Sequence, residues 1–87
     1  MKHDQPKLVR RLKIIEGQVR GLQEMLASHT YCVDVITQTS AVKRALSGVE
    51  DELMRVHLST CVAKQMKEGN TSKAVEEIVK VYKLKRA

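Results

Sequence analysis

Apolar side chains recur in the first third of the chain at alternating steps of four and three: Leu8, Leu12, Ile15, Val19, Leu22 and Leu26. That spacing is one stripe of an amphipathic helix, predicted over about residues 5–27. Asp4 suits its N-cap and Pro6 its first turn. Ser28-His29-Thr30 reads as a short break, with Thr30 placed to cap the next helix. A second stripe runs through Val35, Thr39, Val42, Leu46, Val49, Leu53, Val56 and Thr60, at a and d positions of successive heptads. It predicts a helix over about 31–67, roughly 50 Å long at 1.5 Å per residue. Gly69-Asn70-Thr71-Ser72 ends it. A third helix, about 72–85, carries Val75, Ile78, Val79 and Tyr82 on its apolar side. The fold class is all-α, with three helices per chain.

The chain has 87 residues, room for one domain, taken as 1–87. So small a chain cannot cover a heptad seam of this length with one shorter helix. The seam predicts a second copy, paired antiparallel along the long helix to build a four-helix core. Ala41, Ala45 and Gly48 are small residues near the crossing of such a pair. Gly17 and Gly21, four apart on the first helix, predict a groove where another backbone approaches. The long second helix leaves no short recognition helix, so a helix-turn-helix is not expected.

Composition sharpens the partner. The net charge is +6, and both ends are basic: residues 1–20 carry +4, residues 80–87 carry +4, and the middle carries −2. In an oligomer these ends sum to a positive field suited to a polyanion, although charge alone reads equally as a solvated face. Aromatic residues are 2% of the chain, Tyr31 and Tyr82, which argues against a base-stacking module. No apolar run approaches the ~18 residues of a membrane span. The opening Met1-Lys2-His3-Asp4-Gln5-Pro6 leads into charged residues, so no secretory signal is expected. Two cysteines make no disulfide scaffold, and a cytoplasmic chain with reduced thiols is the expectation.

Three side chains carry candidate chemistry: Cys32, His57 and Cys61. His57 and Cys61 stand four apart, on one face of the long helix. Cys32 lies roughly 43 Å away along a continuous helix, too far for a shared site or a disulfide within one chain. An antiparallel pair with its two-fold near Ala45 and Leu46 brings Cys32 of one protomer level with His57 and Cys61 of its partner. Two thiolates and an imidazole suit Cu(I), whereas structural zinc normally takes four ligands. Spacing alone leaves a plainer reading open, in which both cysteines are small seam residues and His57 a satisfied core residue.

The segments Arg11-Leu12-Lys13, Ile15-Glu16-Gly17-Gln18-Val19-Arg20-Gly21, Tyr31-Cys32-Val33-Asp34-Val35 with Gln38, Ser40-Ala41-Val42, and His57-Leu58-Ser59-Thr60-Cys61 resemble the CsoR/RcnR/FrmR family of bacterial repressors. The likeness covers nearly the whole chain and is strongest to the copper-sensing CsoR branch. It implies an antiparallel dimer, commonly a dimer of dimers, whose apo form binds operator DNA. It implies that Cu(I) bound by Cys32, His57 and Cys61 across two protomers lowers that affinity and derepresses copper-resistance genes. Tyr31 and Glu77 match positions that support the histidine, a role outer carboxylates often play. Arg11 matches the key DNA-binding position, with Lys7, Arg10 and Lys13 around it. A basic residue found on the long helix of some members falls at Gly48 here, and Lys43 and Arg44, a turn earlier, are the candidates to supply that charge. The resemblance implies no enzymatic activity.

Rival inducers sort on the same positions. Nickel and cobalt sensors tend to carry His where Cys61 stands, although His3 offers an additional donor. Persulfide sensors keep both cysteines and lack the histidine. Outside the family's regulatory role, a copper buffer that binds no DNA is the competing expectation.

Overall fold

The computed structural model describes residues 5–86. It contains α1 (Gln5–Ala27), α2 (Cys32–Val56), a π-helical turn (His57–Val62), α3 (Ala63–Lys67) and α4 (Thr71–Arg86). Among the described residues there is no strand, as an all-α chain requires. Asp4 and His3 lie outside the described residues, so the capping role expected of Asp4 has no structural account. Helical structure runs unbroken from Cys32 to Lys67, matching the long helix expected from the heptads. The departure is the π-turn near its end.

Both helix breaks are closed by the same device. His29 N–H donates to Leu26 O (3.2 Å) and Thr30 N–H to Met25 O (2.9 Å). Gly69 N–H donates to Met66 O (3.2 Å) and Asn70 N–H to Gln65 O (2.7 Å). Each pair is a Schellman closure, whose pivot residue adopts a left-handed backbone. The pivots are His29 (φ 55°) and Gly69 (φ 81°). Thr30 does not stand at the start of α2. The Tyr31 carbonyl accepts from Asp34 and Val35 N–H at 3.0 and 3.2 Å, so Tyr31 holds the N-cap position.

The chain divides into two compact units, one ending at Leu53 and the other beginning at Met54. In the first, Leu8 and Ile15 of α1 are buried with Val42 and Val49 of α2, and Leu22 and Ala45 pack against them. Each helix therefore uses only every seventh residue of its stripe for this core. The intervening positions stay exposed: Leu12, Val19 and Leu26 on α1, and Leu46 and Leu53 on α2. Among the described residues, nothing beyond the surrounding turns of α1 itself lies within 4 Å of a Cβ built at Gly17 or Gly21, so the groove expected there is not filled by them. In the second unit, Cys61, Val62 and Ala74 are buried, and α3 packs on α4.

Candidate metal centre and basic face

The π-turn reads His57-Leu58-Ser59-Thr60-Cys61-Val62. Its i→i+5 bonding widens the helix by about one residue per turn, a feature common at functional sites. The hydroxyls of Ser59 and Thr60 both donate to Val56 O, at 3.1 and 2.7 Å. Such back-bonding competes with regular α-helical pairing at that carbonyl. With its proton on Val56 O, the Thr60 oxygen is left as an acceptor, 3.6 Å from Cys61 Sγ. Four residues remain close to one full turn here, so His57 and Cys61 share a side of the turn. Cys61 is a free thiol, buried to 1% exposure.

Glu77 reaches His57 from α4. His57 Nε2 lies 3.1 Å from Glu77 Oε2, both half-buried. An imidazole that donates from Nε2 keeps the lone pair of Nδ1 available to a metal. Sequence spacing had no means to find the next partner. Gln65 Nε2 donates to both oxygens of Glu77, at 3.4 Å each. Gln65 Oε1 is buried without a hydrogen-bond partner among the described residues. Gln65 continues the four-residue step of His57 and Cys61 into α3, but an amide side chain at that step carries no chemical signal of its own.

Cys32 is the first residue of α2, exposed, with the exposed Tyr31 before it. These two belong to the first unit, and His57, Cys61 and Glu77 to the second. Among the described residues no three His, Cys, Asp or Glu side chains converge within the chain. Of the expected set, the structure thus joins His57 to Glu77 and aligns Cys61 on the same turn.

The basic residues expected to meet DNA lie on the first unit. Lys7, Arg10 and Lys13 are exposed along α1, and Lys43 and Arg44 along α2. Arg11 is half-buried, and its guanidinium reaches α2 at Gly48. No helix of the described residues is long and apolar enough to cross a membrane.

A family model described as a metal-sensitive transcriptional repressor matches residues 4–83. The chain belongs to this family. The repressor is 41% identical over 80 residues to the copper-sensing transcriptional repressor CsoR of Bacillus subtilis, covering 92% of this chain and 79% of that one. It spans 62% and 61% of the length of two mycobacterial relatives. Among solved structures it resembles the copper-sensing repressor CsoR with Cu(I) from Geobacillus thermodenitrificans. The TM-score is 0.90 and the identity 36%, over 100% of this chain and 94% of that one. The nickel-responsive transcriptional regulator InrS is similar at TM-score 0.80 and 30% identity, over 95% and 93% of the two chains. The likeness to CsoR-type repressors seen in the sequence extends across the chain, and the role it carries is regulatory and not enzymatic.

Proposed function

We propose that this chain is a Cu(I)-responsive transcriptional repressor, acting in the cytoplasm as a homo-oligomer on operator DNA. The observation that carries the reading is the His57–Glu77 pair beside the buried Cys61 thiol. It leaves one imidazole nitrogen and one soft sulfur donor on the same turn. Cys32 of a second protomer completes the set, which favours Cu(I) over the harder divalent ions. Residues 1–87 work as one regulatory domain, the first unit carrying the cations that meet DNA and the second the histidine end of the site. Cys32 of one protomer with His57 and Cys61 of its partner would hold Cu(I), which would supply coordinate bonds linking the two protomers. The chain's own part is to hold His57 through Glu77, to keep water from Cys61, and to present Arg11, Lys7, Arg10 and Lys13 to phosphates, with Lys43 and Arg44, a turn before Gly48 on α2, adding charge. Tyr31 stands beside Cys32 to shape that end. Pairing two such dimers into a tetramer would bring more basic ends to one stretch of duplex.

The test is fluorescence anisotropy of apo protein on labelled duplex from the DNA upstream of its own coding sequence, under anaerobic conditions. Cu(I), Ni(II), Zn(II) or a persulfide donor is then added. Release by Cu(I) alone, and its loss in Cys61→Ala with apo binding intact, is expected. Release by Ni(II) or persulfide without Cu(I) reassigns the inducer, and tight Cu(I) binding without any DNA binding makes the chain a copper buffer.

A further inference from the structure

Gly48 is the only glycine inside α2, where glycine weakens a helix relative to alanine. Its backbone gives no reason for glycine, since the positive-φ glycine of the chain is Gly69. Its surroundings do. A Cβ built at Gly48 would lie 2.9 Å from Arg11 Nη2, so a side chain there would make the flexible end of Arg11 give up its place against α2. Among the described residues, Gly17 and Gly21 have nothing beyond their own helix within 4 Å of that position, so the contact is particular to Gly48. Arg11 is half-buried, while Arg10, Leu12 and Lys13 beside it are exposed.

We infer that Gly48 is the seat of the Arg11 guanidinium and acts as a positioning residue for DNA binding. The bare backbone at Gly48 lets the planar guanidinium lie against α2. An arginine loses rotamer freedom when it binds a phosphate, and one already laid in place loses less. Gly48 thus trades helix stability for an ordered cation. This rests on Arg11 contacting phosphate and adds the residue that orients it. It also differs from a role for Gly48 as a point of close approach between two copies. In that case the space would be needed by the partner and not by Arg11.

The two roles give opposite signs. The variants are Gly48→Ala, Arg11→Ala and the double variant, each measured for thermal midpoint at one protomer concentration and for anisotropy on the upstream duplex across salt. Gly48→Ala is expected to raise the midpoint by about 3–6 °C. It should weaken duplex binding about 3- to 10-fold with the salt slope kept, because the charge still reaches phosphate. Arg11→Ala should weaken binding and make the slope shallower by about 1. In the Arg11→Ala background, Gly48→Ala should change binding no further. Wild-type binding by Gly48→Ala beside a weakened Arg11→Ala overturns the seat while keeping Arg11 on the DNA. An equal loss in both backgrounds, or a lowered midpoint with a smaller oligomer, overturns it in favour of packing between copies. Wild-type binding by Arg11→Ala overturns the phosphate contact itself and the seat with it.

Discussion

The Glu77 carboxylate decides which ring nitrogen of His57 is available. Held at 3.1 Å from Nε2, it fixes the proton there and leaves Nδ1 as the donor. Glu77→Gln removes the negative charge while keeping the shape. Outer partners of a metal-bound histidine typically matter by about 10–100-fold in affinity or activity. We expect Glu77→Gln to keep one Cu(I) per site by anaerobic titration with a chromophoric chelator, yet to lose about tenfold or more of the Cu(I)-induced drop in duplex affinity. Undiminished release would leave Glu77 as a link between α3 and α4 alone. At this scale, the chemistry was only partly legible. The step from His57 to Cys61 stands out from spacing, because soft donors are few in the chain, while the joining of Cys32 to them belongs to the proposal. Glu77 reads as a solvated charge by spacing and emerges through the family resemblance. Gln65 carries no chemical signature, and its place on both Glu77 oxygens depends on how α3 meets α4.

Helix boundaries were legible where a residue has one conformational purpose. Gly69 announces the end of the long helix, and its φ of 81° explains why glycine stands there. His29 holds the matching position after α1 with no such signal, since its left-handed backbone is imposed by the Schellman closure. The difference is measurable. Gly69→Ala places a Cβ in open space but in a strained backbone, which costs about 1–2 kcal/mol. For a chain of this size that lowers the thermal midpoint by roughly 4–8 °C per kcal/mol. His29→Gly should move it upward by less, because relief of strain is offset by the freer unfolded chain. Equal behaviour of the two variants in differential scanning calorimetry would contradict the shared closure. The π-turn was not legible at all. Val56, Ser59 and Thr60 fit a heptad as well as any β-branched or small residues do. Only the two hydroxyls on Val56 O reveal the carbonyl that has left the regular ladder.

At the scale of the molecule, the heptad stripe proves to be two rows with different destinations. Val42 and Val49 turn inward against Leu8 and Ile15, whereas Leu46 and Leu53 stay exposed, Leu46 at 42%. α1 divides the same way, leaving Leu12, Val19 and Leu26 outside. A chain that exposes alternate members of both stripes has built half of a helical core, and antiparallel pairing would cover the other half. Fully burying a leucine is worth about 1.5–3 kcal/mol, and a two-fold axis counts each position twice. Leu46→Glu should therefore disturb the isolated chain little, since the side chain is already exposed there. In the assembly it should remove at least about 3 kcal/mol and set two like charges near the axis, a shift of about 100-fold or more in dissociation constant. Sedimentation equilibrium should show a lighter species at micromolar protomer, with a thermal midpoint that falls and duplex binding that weakens in step. On the proposed assignment Cu(I) affinity should fall too, because the partner protomer that supplies Cys32 to His57 and Cys61 would be lost. A Leu46→Glu protein that keeps its mass and its Cu(I) site would place the assembly face elsewhere on the chain, and with it the origin of the third ligand.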